Sequence, residues 1–258
     1  MSLPPLLFAL FMWFVGTGAV VWLDSRPRAT FRTSFRLAGL VALAAMAVAG
    51  WSAGDASPSA AYIGFSCAIL IWGWHEMGFL MGFVAGPNRL PCPSGTTGWA
   101  RFRLATGTVI HHEIALAANL LALVALSWGQ PNQAAALTFA LLFGMRLSAK
   151  LNLYLGVANL SDEIFPAHLA YLKSYFGARP INWLYPFSIV GGAGIAVWAW
   201  LAAESASGGM AITCTLLAGL AVLGVVEHLF LVLPLRDGAM WRWFSASKPP
   251  VVVPAKSE

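Results

Sequence analysis

Three pairings of histidine with glutamate stand inside long apolar runs: His75-Glu76, His112-Glu113 (preceded by His111) and Glu227-His228. Four of the five histidines therefore have a carboxylate adjacent or one residue away. A charged group at the centre of a bilayer costs about 2.5–3.5 kcal/mol or more, so such residues either find partners or mark a functional site. Imidazole nitrogens and carboxylate oxygens converging from several helices are the donor set of zinc, iron or manganese. In that reading His75, Glu76, His112, Glu113, Glu227 and His228 are candidate metal ligands. Glu163 and His168, in a more polar segment, are a further pair. Neighbouring helical residues diverge by ~100°, so in each pair one member can bind while the other supports it, and the sequence leaves open which. The same residues equally form a hydrogen-bond network that joins helices, or ligate a pigment. No His-x-x-x-His or His-x-x-His-His box is present, which separates this chain from the familiar membrane di-iron hydroxylases.

A second polar group lies nearby on another run. Arg146 and Lys150 are spaced i, i+4 and so share a helix face, and Asn152 follows. Lys150 is placed to snorkel to an interface. Arg146 lies deeper, where it can neutralise a glutamate or hold the carboxylate of an amphiphilic substrate. Arg146, Lys150 and Asn152 are thus the candidate cofactor-binding residues.

The elements that must carry these groups are membrane spans. Of 258 residues 59% are hydrophobic and 10% charged, with a mean hydropathy of +0.73, whereas soluble domains have about 25% charged residues. Seven apolar runs follow, near 3–23, 37–52, 60–85, 104–128, 134–157, 183–203 and 210–233, each close to the ~20 residues a span requires. The predicted fold is all-α: a polytopic integral membrane protein of seven transmembrane helices in one domain, 1–245, with an interfacial segment at 158–182 and a disordered tail at 246–258. The first run has basic residues after it and none before it, the reverse of a signal peptide, so it reads as a retained span. All 15 Lys and Arg lie in or beside the first, third and fifth loops or the tail, while Asp55 and Glu204 occupy alternate turns. The positive-inside rule then predicts a periplasmic N-terminus and a cytoplasmic C-terminus.

Several classes drop out. The net charge of +5 resides in short loops where it sets topology, so nucleic-acid binding is excluded. Cys67, Cys92 and Cys214 make neither a disulfide framework nor a zinc ribbon. The seventh run has no lysine for a retinal Schiff base, and no repeat points to a transporter. By ~1.5 Å of rise per residue, the His/Glu pairs and Asn152 are expected in one layer in the cytoplasmic half of the membrane.

Longer motifs carry a resemblance. Trp74-His75-Glu76, Gly86-Pro87-Asn88-Arg89, Pro91-Cys92-Pro93, Gly98-Trp99-x-Arg101-Phe102, His112-Glu113 and Arg146-x-Ser148-Ala149-Lys150-Leu151-Asn152 resemble the PuhE family of photosynthetic complex assembly proteins of purple and related phototrophic bacteria. Leu155-Gly156-Val157-x-Asn159 and Phe165-Pro166-x-x-Leu169-x-Tyr171-Leu172-x-Ser174-Tyr175-Phe176 extend it, so that it covers the third to sixth spans. The resemblance implies a role in assembling the reaction centre and its light-harvesting antenna, or in supplying bacteriochlorophyll to them. It also implies location in the bacterial inner, intracytoplasmic photosynthetic membrane. Implied partners are the lipid bilayer, reaction-centre or light-harvesting subunits and bacteriochlorophyll, to whose magnesium a histidine can serve as axial ligand. The alternative is a metal-dependent oxidoreductase acting on a tetrapyrrole, isoprenoid or quinone. The family carries no established chemistry, so the metal reading rests on these residues alone.

Overall fold

The computed structural model describes residues 3–159 and 166–233, and all regular structure among them is helical. Seven helices are long and apolar enough to cross a membrane: α1 (Leu3–Asp24), α2 (Arg28–Ser52), α3 (Pro58–Leu80), α4 (Gly98–Ser127), α5 (Ala134–Leu155), α6 (Leu184–Ser205) and α7 (Gly208–Phe230). A 3-10 helix, Ala167–Tyr175, lies between α5 and α6. Residues 160–165, which include Glu163, and the expected disordered tail at 246–258 lie outside the described residues.

Three helix limits differ from those expected from hydropathy. α2 starts at Arg28 and α4 at Gly98, so Arg32, Arg36, Arg101 and Arg103 are helical. Arginine is a good helix former, and the apolar run reports where a helix enters hydrocarbon, not where it begins. α3 in turn stops at Leu80. Gly82, with φ +79°, turns the chain in a conformation that costs glycine little, and the N–H groups of Phe83 and Val84 both donate to the Gly78 carbonyl at 2.9 Å.

α3 is the axis of the bundle, with α1, α2, α4, α5 and α7 packed around it, while α6 lies outside against α7 and α5. Phe65 and Ile69 of α3 interlock with Ala9, Leu216 and Leu220. Ala68 and Ile71 pack with Ala42, Ala45, Leu116 and Phe139. Lipid tails are as apolar as these side chains, so close dispersion contact, not water exclusion, holds such helices together. Small residues make the contact possible: a Cβ on Gly64 would lie 3.1 Å from both Ala134 Cβ and Ala135 N.

After α3 the chain folds back onto α4. His112 N–H donates to the Ala85 carbonyl and Asn88 N–H to that of Gly107, both at 3.0 Å. The Asn88 side chain donates to the Leu104 carbonyl and to Tyr175 Oη, and Gly86 presses so closely on the Gly107 carbonyl that no Cβ would fit. At the other end of the bundle, Asn132 ties two turns together. Its Nδ2 donates to the carbonyls of Ser52 (3.0 Å) and Ala60 (2.9 Å), and its Oδ1 accepts from Ala134 N–H.

Asn132 is buried, so Asn132→Ala removes three interior hydrogen bonds and is expected to cost about 1–3 kcal/mol. Thermal unfolding in detergent beside the exposed control Gln130→Ala checks this; equal midpoints would show that the turns do not depend on Asn132.

Candidate functional site: an ion-paired layer inside the bundle

His75 and Glu76 sit one turn before the end of α3, the helix with neighbours on every side, and their ~100° divergence sends them to different helices. His75 Nε2 hydrogen-bonds the side-chain amide of Asn119 on α4, and its ring meets Phe139 edge-on. Glu76 turns toward α5, where its Oε2 accepts from Arg146 Nη2 at 3.0 Å. Its Oε1 lies 3.6 Å from His112 Nε2, beyond hydrogen-bonding distance. Glu113, on α4, accepts from Lys150 Nζ at 2.5 Å, and that ammonium also lies 5.4 Å from the centre of the Phe79 ring. One helix thus contributes two cations and its two neighbours two carboxylates, and the charges cancel.

His112 is the exception within this layer. It is 0% exposed, packs on Phe79 with ring centres 4.9 Å apart, and neither Nδ1 nor Nε2 has a hydrogen-bond partner among the described residues; nor has Glu76 Oε1. A buried polar group without a partner costs about 1–3 kcal/mol, so this pair of atoms stands ready for a proton or a ligand. The Arg146 side chain is 41% exposed and opens the layer sideways.

The remaining expected ligands lie elsewhere. His228 faces α5 and α6: its Nδ1 bonds the Gly224 carbonyl at 2.8 Å, which assigns the proton to Nδ1, and its Nε2 meets Ser148 Oγ at 3.0 Å. Ser148 and Asn152 both hydrogen-bond Ser188, and Asn182 donates to Asn152 Oδ1. Positions 148 and 152 lie ~200° around α5 from 146 and 150. Asn152 therefore belongs to this helix-joining network and not with Arg146 and Lys150. Glu227 points to α1 and accepts from Trp13 Nε1 at 3.0 Å. His111 is exposed.

His168 projects from the 3-10 helix toward α2, its Nδ1 3.4 Å from Arg28 Nη2. Arginine only donates, so Nδ1 accepts and the proton sits on Nε2. Burial lowers the imidazole pKa below its ordinary value, the Leu80 carbonyl partly offsets this, and Arg28 and Arg89 lower it further.

The single layer expected from the sequence thus divides into three groups. Hydropathy places His75 and His112 at similar distances from their helix ends. With the observed limits His75 is about 8 Å from the end of α3 and His112 about 21 Å from the start of α4. They still meet because α4 overshoots the turn after α3. Among the described residues, no group of three or more His, Cys, Asp or Glu is placed to hold a metal ion, since Arg146 and Lys150 occupy the carboxylates. Asn119, the partner of His75, is not among the residues that the sequence singles out, although it lies seven residues from His112 and so on the same face of an apolar helix.

Arg146→Met leaves the Glu76 carboxylate uncompensated and is expected to destabilise the protein by about 3 kcal/mol, with most of the loss restored in Glu76→Gln/Arg146→Met. Unfolding of the single and double variants in detergent reads this; simple additivity would deny the coupling.

The family model described as protein of unknown function (DUF3623) matches residues 1–251. The 30.4 kDa protein in the puhA 5′ region of Rhodobacter capsulatus is 37% identical over 247 residues, which cover 93% of this chain and 90% of that protein. No solved structure is significantly similar. By the near-complete family match and the length and identity of that alignment, the chain belongs to the DUF3623 family, to which its PuhE-like motifs also point.

Proposed function

We propose that this chain is a membrane factor for assembly of the bacterial photosynthetic reaction centre and light-harvesting complex, or for its bacteriochlorophyll supply. The observation that carries the reading is the relative encoded in the puhA 5′ region, similar over nearly the whole chain. The geometry agrees with it. The charges inside the bundle are internally compensated, as suits a rigid scaffold. On the outlying α6, Gly191 and Gly194 have open space where a Cβ would stand, which permits close approach of a partner helix.

The metal-dependent oxidoreductase is a weaker reading. Glu76 Oε1 and His112 Nε2 are two donors, fewer than iron, zinc or manganese needs, and Glu76 Oε2 is held by Arg146. The described residues do not fit a metal centre, and no step through one follows. Bacteriochlorophyll asks less, because one imidazole nitrogen suffices for its magnesium and His112 has two without partners among the described residues. His112 is then the residue that would hold it, and its complete burial requires α3 and α4 to part for the macrocycle.

Deleting the gene in a phototrophic host is expected to lower the near-infrared absorbance of reaction centre and antenna without accumulation of a pigment intermediate. Unchanged absorbance would sink the reading. A new intermediate would favour the enzyme, and pigment copurifying with wild type but not with His112→Leu would favour delivery.

The proposed orientation places the α3–α4 loop in the cytoplasm and the α4–α5 turn in the periplasm of the inner membrane. A phosphatase reporter fused within 129–132 is expected to be active and one fused within 91–96 inactive; the reverse pattern would invert the topology.

A further inference from the structure

A cavity of about 290 Å³ opens where α2 begins and α3 ends, lined by Arg28, Arg32 and Arg89 with His168, over a floor that includes Phe31, Met81 and Phe83. Its volume is close to the lower limit of about 300 Å³ for small-molecule pockets. Three arginines line one space, and no acidic residue is among the described residues that line it. Such convergence is repulsive until an anion enters.

The cations are held in place from three directions. Arg28 and Arg32 lie one turn apart on α2, with the buried Phe31 between them. Arg89 Nη2 donates to the Gly82 carbonyl at 3.3 Å, which keeps the guanidinium beside the turn that closes α3. His168 is fixed by its contact with Arg28, and its Nε2–H edge would lie 3.1 Å from a Cβ on Gly82, so only glycine leaves the ring its place. The N-terminus of α2 adds to the field: Pro27 precedes it, no side chain caps it, and its first turn contains no carboxylate. Uncapped N–H groups at the positive end of a helix favour an anion.

The floor decides what kind of anion. Phe31 and Met81 belong to a cluster with Val20, Met77 and Leu23, so the floor of the cavity is continuous with the apolar packing of α1, α2 and α3. Phe83 stacks on Phe35 at 4.9 Å and extends that wall. A free anion would use the rim and leave the wall uncovered.

We propose that this cavity is a built site for the phosphate of an anionic lipid, the phosphate held by Arg28, Arg32 and Arg89, with His168 positioning Arg28, and the first methylenes of the chain lying along Phe31, Met81 and Phe83. The site is separate from the Glu76–Arg146 layer and does not depend on the function proposed above.

The test is binding of phosphatidylglycerol to the purified full-length chain in a nonionic detergent, read by native mass spectrometry and by titration. The expected result is one retained lipid per chain, with binding weakened at least about tenfold in Arg28→Gln and in Arg32→Gln through loss of charge-assisted hydrogen bonds. Arg36→Gln, which removes the same charge from α2 outside the cavity, is expected to weaken it by less than about twofold. Equal effects of all three would reduce the site to general surface attraction and overturn the proposal. Phosphatidylcholine binding as tightly would also overturn it. So would inorganic phosphate displacing the lipid at the same concentration as the lipid itself, which would assign the rim to a soluble phosphate. Lipid binding that emerges only in Asp162→Asn/Glu163→Gln would show that the chain's own carboxylates fill the space, and would overturn the proposal as well.

Discussion

The bundle depends on how α5 meets its neighbours, because Arg146, half-buried at the side of the bundle, and Lys150, within it, are compensated only where Glu76 and Glu113 face them. Each charge alone costs about 2.5–3.5 kcal/mol or more in hydrocarbon. Pairing at 3.0 and 2.5 Å removes much of that cost, and does so in one rotational setting of α3, α4 and α5. Apolar packing between lipid-bathed helices tolerates slippage and rotation. Two ion pairs sharing one helix do not, since a ~100° turn of α5 by a single residue would aim both cations elsewhere. The pairs therefore specify register at least as much as they stabilise.

The turn after α3 acts on the same layer through the backbone. By accepting from His112 N–H at Ala85 and donating from Asn88 to the Gly107 carbonyl, it fixes how far α4 passes α3 and thereby which α4 residues stand opposite Glu76. His112 is brought beside the carboxylate without being bonded to it, a relation that belongs to no single helix. On its other side the same turn supplies Gly82 and Arg89 to the cationic cavity. One short connection thus positions two sites, and glycine serves it twice: at 82 the positive φ suits glycine, and at 86 the Gly107 carbonyl leaves no room for a Cβ.

The seven spans, their order and the residues able to carry charge were legible in the sequence, because hydropathy over ~20 residues and the identity of each side chain are local properties. Helix ends were less so. Arginines at the starts of α2 and α4 look like loop residues to a hydropathy reading but continue the helix into the interface. Grouping was least legible. His75-Glu76 and Glu227-His228 look alike in the sequence, yet Glu76 meets Arg146 and His112, whereas Glu227 meets Trp13 and His228 meets Ser148.

By itself the sequence determined that this is a seven-helix membrane chain of PuhE-like character whose intramembrane histidines and glutamates require partners. Only the tertiary structure decided that Arg146 and Lys150 face Glu76 and Glu113, that Asn152 and His228 belong to a separate network, and that three arginines share a cavity with His168. The reason is geometric: composition sets which segments enter the membrane, but each residue step rotates a side chain by ~100°. Which partner it meets is therefore fixed only when all the helices are packed together.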